Sequence, residues 1–350
     1  MYKKILKPIF INLIILLFFV ILIEIFFGYW FDKNNLGPYM REHRMKNQPT
    51  LFNYNGKTIK YNYLRNYYGF RGEDIEPSDI KAVIMGGSVI DERYKPEEFT
   101  ITGYLNEKLR NNNYNFKIIN AGIEGQSTVG MIYNFRTWFP KLKDFKPKVI
   151  LFYIGLNDLG LIENNVSNNI GDGHVKNPEG FEQFLDNIKS RSFIYDSIRI
   201  FKFKYLPRKN FIKYDGNVDP DLENNFKYIS YNLALNKYNT TELNIENKKV
   251  IKSYLSRVDI LHDEAIKLKS TPIFITNIVS RGHVEEMFIL NHSLIEHCEI
   301  KKYKCIDMAK NLDGKYNYWQ GDSHTSKDGS EKIAEIIMQD LPNYLKDMKW

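Results

Sequence analysis

The chain has 350 residues, 43% of them hydrophobic and 26% charged, which is long enough for two domains and for a sizeable buried core. Lysine and arginine outnumber aspartate and glutamate by 49 to 42, a net charge of +7. Of that excess, +4 lies in residues 1–46, so what remains is too small and too dispersed for a nucleic-acid-binding surface.

The first element is apolar from Ile9 to Phe31, interrupted only by Asn12, Glu24 and Gly28. At about 1.5 Å per residue a helix of that length reaches ~35 Å, enough for a hydrocarbon layer of ~30 Å. The following FFGYWFDKN offers no small-x-small cleavage site, so the segment reads as an uncleaved signal anchor, with Tyr29, Trp30 and Phe31 as an aromatic belt. Lys3, Lys4 and Lys7 crowd the short side and place the N-terminus inside and the remainder of the chain outside. Glu24 lies near one end of the span, where it reaches the interface or pairs with a partner helix. Residues 33–79 are rich in tyrosine, phenylalanine and leucine, including NYLRNYYGFRG, and read as packing on the edge of the domain that follows.

Four apolar runs then end in turn-forming residues. Lys81 to Ser88, KAVIMGGS, reads as a buried strand whose tight Gly-Gly turn presents a hydroxyl. Ser88 is either a nucleophile at the carboxyl edge of a sheet or the cap of the next helix. Phe116 to Asn120 runs into NAGIEGQS, where Gly125 offers a backbone N–H to an oxyanion, and Val149 to Tyr153 runs into GLND, where Asn157 offers a side-chain amide. Near the end, GDSHTSKDGSEKIAEII sets Asp322 and His324 before an amphipathic helix; His324 is placed to deprotonate Ser88 and Asp322 to fix the imidazole. Between these blocks, helices are expected at Ile101 to Leu109, Gln126 to Phe139, Glu246 to Lys269, Val284 to Cys298 and Lys327 to Leu345. Strands are expected at Pro272 to Ile278 and Tyr303 to Asp307. The alternation predicts an α/β fold, a doubly wound parallel sheet in three α/β/α layers.

In order and spacing the four blocks resemble the SGNH, or GDSL-like, hydrolase family over Lys81 to Leu345. The resemblance implies Ser88 as nucleophile, an oxyanion hole of the Ser88 N–H, the Gly125 N–H and the Asn157 amide, and His324 as base. Two departures stand out. The family has Asp where this chain has Gly87, as some membrane-linked relatives do, and it has Asp three residues before the histidine, where this chain has Gly321. The nearest carboxylate, Asp322, reaches the imidazole only by a different local path; without it the chain holds a Ser-His dyad or a weakened enzyme. The resemblance divides the chain into an anchor (1–32), a juxtamembrane segment (33–79) and a catalytic domain (80–350) carrying an insertion at 160–245 that overhangs the site. Within the insertion Ile194, Ile198, Phe201 and Tyr205 recur at helical spacing beside Arg199, Lys202, Lys204, Arg208 and Lys209. Such a helix either lies on a membrane surface or packs on the domain with a solvated basic face.

The expected activity is removal of an O-acyl group, acetyl foremost, from a polysaccharide of a bacterial cell envelope by a single-pass membrane protein whose domain is periplasmic or extracellular. Envelope-polysaccharide enzymes are the expected partners. Transfer of the acyl group to a sugar, a lipid esterase or thioesterase with an apolar tunnel, and a non-catalytic subunit of a polysaccharide machine are the rivals. A carboxylate within hydrogen-bond reach of His324 favours catalysis; none favours the binding role. No cofactor or metal is expected: the sequence has no HExxH, P-loop or GxGxxG. The two cysteines, Cys298 and Cys305, form no metal framework and fit either a disulfide or buried thiols.

Overall fold

The computed structural model describes residues 2–31, 46–163, 180–206, 210–218, 220–238, 245–346 and 348. The chain opens with helix α1 (Tyr2–Phe27) and a hairpin of β1 (Lys46–Tyr54) and β2 (Lys57–Arg65). There follow β3 (Ala82–Met85), α2 (Ser88–Asp91), α3 (Ile101–Asn111), β4 (Ile118–Asn120), α4 (Thr128–Thr137), β5 (Val149–Tyr153) and α5 (Leu156–Glu163). Next come α6 (Gly180–Arg191), α7 (Phe193–Tyr205), β6 (Ile212–Asp215), α8 (Pro220–Asn225) and α9 (Tyr231–Lys237). The last part is α10 (Ile245–Lys267), β7 (Thr271–Ile275), α11 (Glu285–Lys301), β8 (Lys304–Ile306), α12 (Met308–Asn311) and α13 (Lys327–Leu345).

Five strands form a parallel sheet in the order β4-β3-β5-β7-β8. The central strands β3 and β5 are short apolar runs buried throughout, because both faces of the sheet are covered. In β3, Ala82 and Ile84 enter a core shared with α3 and α13, while Val83 and Met85 enter another with α4, α10 and α11. Ser and Thr side chains start α3 and α13: Thr100 accepts from the Gly103 N–H and Ser326 from the Gly329 N–H. The three-layer α/β/α architecture is therefore the expected one, and β5 and α13 have the expected bounds. The strand order reverses at β3, between β4 and β5, and the crevice at such a point lies beyond the carboxyl ends of the strands.

A second sheet, β2-β1-β6, lies in segments whose strands the sequence reading did not identify. Asn55 and Gly56, at φ of 48° and 71°, make the two-residue turn of its hairpin. Strand β6 pairs parallel to β1 from Thr50↔Ile212 to Asn53↔Asp215. Phe70, after this hairpin, is buried against Trp138 with ring centroids 4.8 Å apart. Cys298 and Cys305 form a disulfide between α11 and β8.

Helix α1 contains the single described helix long and apolar enough to cross a membrane, Lys7–Phe27, 21 residues with a mean hydropathy of 3.1. It stops before Tyr29, Trp30 and Phe31, which follow in a bend.

Candidate active site

Three loops meet at the carboxyl ends of β3, β4 and β5. The Ile123 N–H donates to the Gly86 carbonyl at 2.9 Å, which ties the Gly125 loop to the Ser88 turn. Asn157 Nδ2 donates to the carbonyl of Gln126 at 2.9 Å, which brings the β5 loop over both. Gly87 is where they touch: a Cβ there would stand 1.8 Å from Asn157 Nδ2 and 3.2 Å from the Gln126 carbonyl. The small residue before the serine is thus a steric requirement of the amide above it. Ser88 opens the helical turn α2, so its N–H is among those a helix leaves without an internal acceptor. Gly125 sits at φ +70°, a left-handed conformation that glycine adopts without strain.

His324 arrives from the other end of the chain. Its Nε2 lies 3.1 Å from Ser88 Oγ, and its ring packs against Tyr94 with centroids 4.9 Å apart. Burial holds its pKa below the usual 6.5; nearby Lys95 and Arg93 act the same way and Glu92 opposes them. At neutral pH the imidazole is therefore uncharged, as a base for the serine hydroxyl has to be.

Asp322 does not join this pair. Its backbone carbonyl accepts from the Ser280 N–H at 2.8 Å and its carboxylate accepts from Ser280 Oγ at 3.5 Å, and no hydrogen bond links it to His324. Among the described residues the ring's hydrogen bond is to Ser88, and no carboxylate bonds it. The structure thus brings Ser88, Gly125, Asn157 and His324 together and leaves Asp322 at the side.

What secures His324 is a buried pair that sequence reasoning missed. Glu92 and Lys95, both without solvent exposure, form an ion pair at 2.6 Å. Glu92 Oε1 accepts from Thr325 Oγ1 at 3.1 Å and Ser330 Oγ at 2.8 Å, while Lys95 Nζ donates to the carbonyls of Thr325 and Ser326 at 2.9 and 3.2 Å. The residue next to His324 is thereby fixed from below. Asn157 has a similar support: buried Asp158 accepts from Thr128 Oγ1 at 2.5 Å and Arg257 Nη2 at 3.3 Å, joining the β5 loop to α4 and α10. Burial raises the Asp158 pKa against the opposing pull of Thr128 and Arg257. Arg65 and Arg71, from the NYLRNYYGFRG segment, lie buried beneath the nucleophile turn. Arg65 reaches Asp91 Oδ1 at 3.3 Å and the Gly122 carbonyl; Arg71 reaches the carbonyls of Asp91 and Lys95. A buried charge in a chain of this kind needs partners, and the RNYYGFR spacing was the available signal.

A cleft of about 270 Å³ opens on Ser88 and His324, walled by Asp91, Arg93, Glu124, Tyr214 and Asp215. A second cavity of about 120 Å³ shares Arg93 and Tyr214 and runs along β1. Tyr214 and Asp215 belong to β6, so this strand lends two residues to the wall of the cleft. Among the described residues no group of three or more His, Cys, Asp or Glu is arranged to hold a metal ion.

No protein-family model matches the chain, and no curated protein matches it. Solved structures similar to it include the psychrotrophic esterase EstA from Pseudoalteromonas sp., 12% identical with a TM-score of 0.44, covering 77% of this chain and 100% of its own. A member of the lipolytic G-D-S-L family from Veillonella parvula is 12% identical with a TM-score of 0.42, covering 77% of this chain and 100% of its own. A catalytic mutant of Axe2, an acetylxylan esterase from Geobacillus stearothermophilus, is 13% identical with a TM-score of 0.42, covering 76% and 95%. At such identities and TM-scores these likenesses leave the functional case to the geometry of Ser88 and His324.

Proposed function

We propose that the protein is a membrane-anchored serine esterase that removes O-acyl groups, acetyl foremost, from a cell-envelope polysaccharide. The observation that carries this reading is the 3.1 Å contact of His324 Nε2 with Ser88 Oγ at the carboxyl edge of the sheet. His324 takes the serine proton as Oγ bonds to the ester carbonyl carbon. The donors of Ser88, Gly125 and Asn157 hold the oxyanion, the alcohol leaves with the proton from His324, and water releases the acyl group. Charged and hydroxylated walls at Asp91, Arg93, Glu124, Tyr214 and Asp215 suit a sugar more than an acyl chain. A sugar hydroxyl in place of water would make the same site an O-acyltransferase. The disulfide supports an oxidising compartment, α1 supports anchoring, and Lys3, Lys4 and Lys7 beside it support a domain outside.

A second reading is favoured by one observation, the lack of a carboxylate on His324: the fold binds a glycan for a polysaccharide assembly machine without turning it over. Hydrolysis of 4-nitrophenyl acetate by the detergent-solubilised chain separates the two. Catalysis predicts activity lost in both Ser88→Ala and His324→Ala; equal rates in all three proteins would replace the esterase by the binding role.

A further inference from the structure

Glu24, the carboxylate within the apolar helix, is not directed at lipid. It lies three residues before the end of α1, about 4.5 Å along the axis. There it accepts hydrogen bonds from Ser192 Oγ at 2.6 Å, the Phe193 N–H at 3.0 Å, the Ile194 N–H at 3.1 Å and Trp30 Nε1 at 3.2 Å. It therefore caps the first turn of α7, where the unpaired N–H groups of a helix favour an anion. The Phe27 and Phe193 rings meet at 5.5 Å, and the Tyr29 N–H donates to the Arg191 carbonyl at 2.8 Å. Asp196, buried on α7, accepts from Tyr29 OH at 3.3 Å and from Tyr67 OH, in the segment that packs on the domain through Tyr68 and Trp138, at 3.0 Å. So α7 begins at the level where α1 would leave the bilayer, and one carboxylate ties it to both anchor and domain.

Beyond that junction α7 turns a hydrophobic face outward. Ile198, Phe201 and Tyr205, spaced by three and four residues, are exposed, Phe201 to 53% and Tyr205 to 68%, and Phe181 of α6 is 72% exposed. Arg199, Lys202 and Lys204 are on the same helix. An apolar stripe with adjoining basic residues is the composition of a helix at an anionic lipid interface.

We infer that α7, together with Phe181 and Phe184 of α6, is seated in the headgroup layer of the bilayer that α1 crosses, its lysines toward anionic phospholipid. The inference rests on the reading of α1 as a membrane span. Its consequence is orientation: two attachments, a span and a surface helix, hold the domain at one attitude to the membrane.

The test uses the full chain in liposomes of phosphatidylcholine and phosphatidylglycerol, with pyrene on Phe201→Cys or Leu17→Cys. The native cysteines are paired and do not take the label. Lipids brominated high on the acyl chain are expected to quench residue 201 and deeply brominated lipids residue 17, with the quenching at 201 weaker in phosphatidylcholine alone. Quenching at 17 without quenching at 201 overturns the inference and keeps the anchor, and pyrene excimer at 201 would identify a second copy of the chain as what covers the face. No quenching at 17 overturns the anchor and the inference with it. Equal quenching at 201 in both lipid mixtures overturns the role of the lysines.

Discussion

At the scale of single residues the site is set by who occupies whose space. The Asn157 amide fills the volume that a Cβ on Gly87 would need. Gly87→Ala is expected to push that amide off the oxyanion position and cut turnover by up to about a hundredfold. Its thermal unfolding should stay near that of the parent; an unchanged rate would mean that Asn157 moves without consequence. Removing the donor itself, in Asn157→Ala, is expected to cost a hundredfold or more in kcat, about 3 kcal/mol. For His324 the sign of the pH effect follows from burial, which disfavours imidazolium. The base is competent when neutral, so activity should persist as pH falls below the usual histidine value of 6.5 and fail only at the lower folded value. A kcat/KM profile with its acid limb at or above 6.5 would contradict the burial. Ser88, Gly125 and Asn157 were legible as residues because each follows an apolar run with turn-forming neighbours, and His324 because it stands before an amphipathic helix. The Glu92–Lys95 pair was not, since two charges three apart in sequence look like an ordinary solvated turn until Thr325, Ser326 and Ser330 close over them.

At the scale of elements, the strands of the large sheet announce themselves: an apolar run covered on both faces needs no partner to be recognised. The small sheet does not, because β6 is four residues long with three of them exposed, and its partner β1 lies more than 150 residues earlier. That pairing is decided by tertiary docking and not by local preference. The arginines behind the nucleophile turn couple the two sheets. Arg65→Met would leave the buried Asp91 carboxylate and the Gly69 and Gly122 carbonyls short of a donor. Loss of one member of a buried pair predicts a destabilisation of about 3 kcal/mol, to be read as a lowered denaturation midpoint with unchanged slope. A loss within the range of ordinary surface substitutions would show that Arg93 and Tyr63 suffice for Asp91.

At the scale of the whole molecule, the disulfide clips a short loop far from the cleft. Closing a loop of that size predicts about 2.5 kcal/mol of stability. Reduction should lower the unfolding midpoint while esterase activity persists below it, and loss of activity without unfolding would point to a role for the α11–β8 junction in the site. The two-sided core and the five parallel strands come from positions 70–345, yet the serine and the histidine that meet at its edge are 236 residues apart. All the strands of both sheets are complete by Ile306, before His324 has appeared. A chain emerging N-terminus first therefore carries its serine through synthesis without a base, and it acquires that base only when the turn-and-helix segment around His324 docks. Chemistry in this protein is a property of the finished chain.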